Sequence, residues 1–302
     1  MAAMIEPVSP SSEKKKVLIL GAKGILGQAL VQEFRFSGYP LTAWDIDEID
    51  LTAEAASLAK IAEFSPNIII NAAAYNAVDA CEEHDEEYRK ALTLNRDVPG
   101  YLARYAAEHG VVFVHYSTDY VFDGTVEAGY SEDAIPNPIS RYGTSKYEGE
   151  KAVLAAGGIA YLIRLSKLFG EPAHSATAKR SFFEVMLAKG KTEPRVEVVD
   201  DETSCFTYAP DLALATRELI EDAPGPGIYH LPNEGGVTWF QAALELFRRA
   251  GLEVEVSPVT SAGYVRPARR PHASVLINTK RPKQRLYTEA LSEFLETILS
   301  PL

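Results

Sequence analysis

The chain has 302 residues, 46% of them hydrophobic and 24% charged, with a formal net charge of -12. That length buries a substantial core in one or two domains, and the composition is that of an ordinary globular protein. The negative balance excludes non-specific binding to nucleic acid or to an anionic membrane, and no apolar run approaches the ~20 residues that span a bilayer.

Residues 1–14 carry Ser, Pro and Lys with no apolar signal core, so they read as a disordered tail and a cytoplasmic location is expected. The first strand is expected at 17–20 (Val-Leu-Ile-Leu), followed by a helix over 25–36, a strand at 41–44, a helix over 53–64 and a strand at 67–70. A helical region then runs to 109, with further strands at 111–116 and 159–163. Apolar runs separated by amphipathic stretches predict an α/β, Rossmann-type doubly wound parallel sheet, here the dinucleotide-binding domain over 15–165. After 164 the rhythm loosens. A loop is expected at 170–175, and helices at 182–189, 210–220, 239–249 and 288–299. These predict a smaller mixed α/β substrate-binding domain from 166–195 and 232–302, with 196–231 returning to the main sheet. The two cysteines, Cys81 and Cys205, match no metal-ligand spacing, so buried thiols and no metal are expected.

Gly21-Ala22-Lys23-Gly24-Ile25-Leu26-Gly27 follows the first strand and opens the first helix. Gly21 permits the tight turn, Gly24 lets the backbone approach a pyrophosphate, and Gly27 lets helix and strand pack closely. The helix start at Ile25 and Leu26 offers N–H groups to phosphates. Asp45, at the end of the second strand, suits the adenosine ribose hydroxyls of NADH, whereas Lys23 suits the 2′-phosphate of NADPH; both cofactors stay open. Asp50 and Leu51 are placed near the adenine. Ala73, Ala74 and Asn76, after the third strand, are placed along the cofactor.

Thr118, in Ser117-Thr118-Asp119-Tyr120-Val121-Phe122-Asp123-Gly124, precedes Tyr142-Gly143-Thr144-Ser145-Lys146. Tyr142 and Lys146 share a helix face. The phenol can protonate a carbonyl oxygen while a nicotinamide delivers hydride to the carbon. Lys146 is expected to bring the phenol pKa down from ~10 and to bond the nicotinamide ribose, and Thr118 to orient the carbonyl. Tyr147 and Lys151 repeat the Y-x-x-x-K spacing, but five residues of helix turn them ~140° away, which predicts a solvated face.

Together with Asn71-Ala72-Ala73-Ala74-Tyr75-Asn76-Ala77-Val78-Asp79, Tyr208-Ala209-Pro210-Asp211-Leu212-Ala213, Gly227-Ile228-Tyr229-His230-Leu231 and Arg266-Pro267-Ala268-Arg269-Arg270-Pro271, these segments resemble the dTDP-4-dehydrorhamnose reductase family of extended short-chain dehydrogenase/reductases. The resemblance covers nearly the whole chain from Lys16. It implies reduction of the C4 ketone of dTDP-4-dehydro-L-rhamnose with NADPH or NADH, Thr118, Tyr142 and Lys146 as catalytic residues, and Thr118 and Asp119 near the sugar. It also implies a C-terminal half closing over the nucleotide, with arginines such as Arg266 and Arg269 meeting the diphosphate; a solvated basic loop is the alternative for these. Some members of the family form homodimers.

The pattern departs from the family in three places. Lys167 stands where a substrate-packing Trp is usual, residues 201–207 replace D-Q-x-G-x-P-T, and Asn278 replaces an Asp. Lys167 thus keeps two other readings open: a reductase of another dTDP-4-keto-6-deoxysugar, and a dinucleotide-binding regulatory subunit like that of methionine adenosyltransferase.

Overall fold

The computed structural model describes residues 14–175 and 178–299. All but Lys14 of the expected tail lies outside them. In chain order the elements are β1 (Val17–Leu20), α1 (Ile25–Phe36), β2 (Leu41–Trp44), α2 (Glu54–Phe64), β3 (Ile68–Asn71), α3 (Val78–Glu83), α4 (Asp85–Leu92), a π-helical turn (Thr93–Asp97), α5 (Val98–His109), β4 (Val112–Thr118), a 3₁₀ turn (Asp119–Val121), α6 (Arg141–Ala156) and β5 (Ala160–Leu165). There follow β6 (Leu168–Phe169), α7 (Phe182–Gly190), β7 (Arg195–Val199), β8 (Thr203–Ser204), β9 (Thr207–Tyr208), α8 (Ala209–Asp222), β10 (Gly227–His230), β11 (Val237–Thr238), α9 (Trp239–Ala250), β12 (Glu255–Val259) and α10 (Tyr287–Leu299).

The main sheet is parallel throughout, in the order β10-β5-β4-β3-β1-β2. Every residue of β1 and β3 is buried, because helices cover both faces and leave no solvent side to mark with polar residues. Alternate side chains enter two cores. Val17, Ile19, Ile68 and Ile70 pack under α1 and α8, while Leu18, Leu20 and Ile69 pack under α5. The chain leaves β1 for β2 on one side and continues through β3 on the other. That reversal opens a crevice at the strand C-termini, where open α/β sheets bind ligands.

A third core lies in the smaller lobe, where Phe169, Phe183, Phe206, Leu246, Phe247 and Phe294 meet. Ser181 and Thr238 start α7 and α9 with capping boxes closed by Glu184 and Gln241. The expected return of 196–231 to the main sheet narrows. Only α8 and β10 lie there, whereas β7 pairs with β12 in the smaller lobe. The β7 sequence, Arg-Val-Glu-Val-Val, alternates exposed and buried residues and so cannot serve as a doubly covered strand. No helix among the described residues is long and apolar enough to cross a membrane.

Candidate active site

The glycine loop turns as its spacing requires. Gly21 has φ 78°, and a Cβ there would stand 2.6 Å from Ala73 N; one on Gly27 would stand 2.0 Å from Gly21 O. A Cβ on Gly24 would meet only Gly21 O, at 3.4 Å, so the protein itself does not demand this glycine. Space beside Gly24, and an α1 N-terminus that no side chain caps, fit a pyrophosphate.

A cleft of about 960 Å³ runs from this loop along the strand ends, and Gly21, Gly24, Ile25, Leu26 and Gly27 line its first part. Asp45, Asp50, Leu51, Ala73, Ala74 and Asn76 follow, then Thr118, Tyr142, Lys146 and Lys167. The Asp45 carboxylate accepts from Lys23 N at 2.7 Å and Ile46 N at 2.9 Å, which ties the end of β2 to the glycine loop. Lys23 Nζ pairs with Asp47 and lies 3.9 Å from Glu48, so its charge is already engaged by neighbours. The Asp50 carboxylate accepts from Thr52 N and Oγ1, which holds it below the usual carboxylate range.

Thr118 ends β4, and Tyr142 and Lys146 lie in the first turns of α6. The helix begins at Arg141: Ser140 caps it, its Oγ accepting from Gly143 N at 3.1 Å. Two contacts fix the α6 position without side chains between. A Cβ on Gly143 would stand 2.3 Å from Tyr120 O, and one on Gly149 1.9 Å from Asn95 O. Asn95 sits in the π-helical turn, its Oδ1 accepting from Tyr75 N and its Nδ2 donating to Tyr75 O and Ser145 Oγ. It braces the Ala73–Asn76 wall against α6, and in the sequence nothing sets it apart from the polar Arg96 and Asp97 that follow it.

The Tyr142 Oη donates to Asn76 Oδ1 at 3.3 Å. Burial and then the charge of Asp119 push the phenol well above its ordinary pKa, so it is firmly protonated. The lowering expected from Lys146 is outweighed by burial; Lys146 Nζ donates to Tyr116 O at 2.7 Å, and burial brings its own pKa down to about 8. A protonated phenol is the form a reduction requires. Tyr147 and Lys151 stack on each other instead, with Nζ 5.0 Å from the ring centroid and Lys151 exposed.

Asp119 does not face the main cleft. Its carboxylate is buried and accepts from Thr118 Oγ1 at 3.0 Å, Ser204 Oγ at 3.1 Å and Ser274 Oγ at 2.6 Å. It therefore aims Thr118 and joins β4 to the smaller lobe. The arginines also separate. Arg266 pairs with Glu202, and Arg270 forms a two-toothed pair with Asp79 across the cleft mouth. Arg269 is exposed and has no carboxylate partner among the described residues. Asn278 shapes a turn, its Oδ1 accepting from Lys280 N and Arg281 N. Phe206 and Trp239, absent from the sequence-derived site, wall the sugar end of the cleft.

Among the described residues no His, Cys, Asp and Glu side chains cluster as a metal would need. His115 is buried beside Lys146, which together with desolvation keeps its imidazole neutral, and Ser117 Oγ is buried without a partner at the cleft floor.

This arrangement has counterparts. The family model described as the RmlD substrate binding domain matches residues 15–300. A dTDP-4-dehydrorhamnose reductase of Streptomyces griseus is 37% identical over 86% of this chain and 84% of its own. A probable dTDP-4,6-dihydroxy-2-methyloxan-3-one 4-ketoreductase of Streptomyces antibioticus is also 37% identical, over 86% of this chain and 85% of its own. A dTDP-4-dehydrorhamnose reductase of Bacillus anthracis, solved in complex with NADP, superposes with a TM-score of 0.88 at 31% identity, covering 95% of this chain and all of that one. A phosphate-ready glycine loop, a buried tyrosine in the first turn of α6 beside the end of β4 and matches along nearly the whole chain lead to one conclusion: this chain belongs to the dTDP-4-dehydrorhamnose reductase family.

Proposed function

We propose that the protein reduces the C4 ketone of dTDP-4-dehydro-L-rhamnose to the alcohol of dTDP-L-rhamnose, using NADPH or NADH. The observation that carries this reading is a buried Tyr142 that lines, with Thr118 and Lys146, the same cleft as the phosphate loop. Family membership supports the substrate.

A bound nicotinamide supplies hydride to C4. Tyr142 gives its Oη proton to O4 as negative charge develops there, so the ketone gains a hydride and a proton and becomes a secondary alcohol. Until the ketone arrives the phenol donates to Asn76, and its single O–H then turns to O4. Thr118, positioned by Asp119, stands beside the carbonyl oxygen. Lys146, one turn along α6 with a pKa of about 8, is mostly ammonium at neutral pH and stabilises the phenolate left behind. Of the basic run at 266–270, Arg269 is the one free to meet a diphosphate, since Arg266 and Arg270 hold carboxylates. At the adenosine end, Asp45 lines the cleft while Asp47 and Glu48 occupy Lys23, which favours NADH over the 2′-phosphate of NADPH.

One observation favours a second reading. Lys167 lines the sugar end of the cleft, where a different dTDP-4-keto-6-deoxysugar would meet it. A purely regulatory dinucleotide-binding role leaves the convergence of Thr118, Tyr142 and Lys146 unused. Purified protein, supplied with dTDP-4-dehydro-L-rhamnose made in situ and either dinucleotide, should oxidise the cofactor and yield dTDP-L-rhamnose. Cofactor binding without that product would refute the substrate assignment.

A further inference from the structure

None of the steps above uses Lys167. It stands in the short gap between β5 and β6 with φ 41°, a left-handed backbone that a lysine adopts only where its surroundings impose it. Its side chain lines the main cleft, yet Nζ is buried with no hydrogen-bond partner. Nζ lies 3.8 Å over the Trp239 ring centroid and 5.2 Å from that of Phe206. These rings attract the cation, but an ammonium has three N–H donors, and leaving them unmade away from water is unfavourable.

Next to Nζ is a side cavity of about 10 Å³, lined by Asp119, Glu202, Ser204, Ser274 and Trp239 as well as Lys167. It has room for one water-sized atom. The charges around it balance: Lys167, Arg266 and Arg270 face Asp119, Glu202 and Asp79. An incoming carboxylate would upset that balance. A hydroxyl would not, because its oxygen accepts from the ammonium while its hydrogen goes to a carboxylate.

We propose that Lys167 is a specificity-determining residue, which with this side cavity receives one ring hydroxyl of the sugar, Nζ donating to the hydroxyl oxygen. An aromatic side chain at this position would offer the ring only an apolar face, whereas Lys167 makes recognition depend on a hydrogen bond. The proposal rests on the reductase reading and deepens it.

The test compares kcat/KM of the wild type, Lys167→Met and Lys167→Gln on dTDP-4-dehydro-L-rhamnose and on its 2-deoxy and 3-deoxy analogues. The wild type should turn over one of the two analogues about 10- to 100-fold less well than the parent sugar, the range for losing a hydrogen bond to a charged group. Lys167→Met should lose a similar factor on the parent and treat parent and that analogue alike, while Lys167→Gln, still a donor, should recover part of the preference. Met removes an unpartnered buried charge, so a melting temperature at or above wild type should accompany the loss. Unchanged discrimination in Lys167→Met, with the wild type active, overturns this proposal alone. A wild type that binds dinucleotide but reduces none of the three sugars overturns the reductase reading and this proposal with it.

Discussion

Glu150 and Arg164 give the sharpest test of how the catalytic helix is held. Glu150 lies about two turns beyond Tyr142 on α6, and Arg164 on β5. The guanidinium donates twice to the carboxylate, at 2.8 and 2.7 Å, and each side chain is only 1% exposed. Arg164 also lies over Phe122, 5.0 Å from its centroid. Breaking such a pair from one side strands a buried charge and costs about 3–5 kcal/mol, whereas replacing both partners by apolar groups of similar size is neutral or stabilising by about 1–4 kcal/mol. Arg164→Met and Glu150→Met should therefore each lower the melting temperature by about 6–20 °C, at roughly 2–4 °C per kcal/mol for chains approaching this size. The double variant should melt at or above wild type. Thermal and urea unfolding of the four proteins at pH 7 closes the cycle. Lys90→Met, which breaks the solvated pair with Glu87, is the control and should stay within about 1 kcal/mol. Single variants that lose less than about 2 °C, or a double variant that loses the sum of both, would show that the pair is not the buried brace described here.

Other outcomes follow from the same geometry. Tyr142→Phe should lower kcat by about 10²- to 10⁴-fold, the usual share of a general acid, and leave dinucleotide affinity unchanged in a fluorescence titration; near-normal turnover would remove Tyr142 from the mechanism. NADH should bind at least about 10-fold more tightly than NADPH, since the 2′-phosphate meets like charge at Asp45 and Asp47, and Asp45→Ala should narrow the gap; equal titration curves for the wild type would contradict this. Burial lowers the Lys167 pKa from 10.5 to about 8. Between those values the folded state binds fewer protons than the unfolded state, so this group makes stability rise with pH across that window. The stabilisation of Lys167→Met over wild type should accordingly be full below pH 8 and fade as the pH rises towards 10.5; a difference in urea midpoint that does not change with pH would show that Nζ is not buried as a charge.

What could be read in advance follows from how local each signal is. The strand β1 and the loop from Gly21 to Gly27 are neighbours in sequence, so an apolar run followed by spaced glycines was enough to place them. Thr118, Tyr142 and Lys146 were legible because strand end and helix follow each other closely. Asp119 was not, because its direction is set by Ser204 and Ser274, which lie 85 and 155 residues away. Arg266 looked like a free phosphate ligand until its partner Glu202, 64 residues distant, was in place. The pairing of β7 with β12 was hidden for the same reason, and the π-helical turn because Asn95 has its partners on two other segments. Lys146 illustrates a different limit: its spacing from Tyr142 was right, but a backbone carbonyl, which leaves no trace in sequence, takes one of its three N–H donors.

The threading of the chain between its two lobes bears on synthesis. The core of the smaller lobe draws on Phe169 and Phe183, returns for Phe206, waits through α8 and β10, and is closed only by Phe294 of α10. A chain emerging from the ribosome can assemble β1 to β5 early, since domains form from the N-terminus onward. It must then carry an aromatic half-core uncovered until α10 is released, and β5 keeps an open edge until β10 arrives. Chaperone dependence and aggregation of this protein should therefore be decided between the release of α7 and that of α10, after the whole catalytic tyrosine helix has already been made.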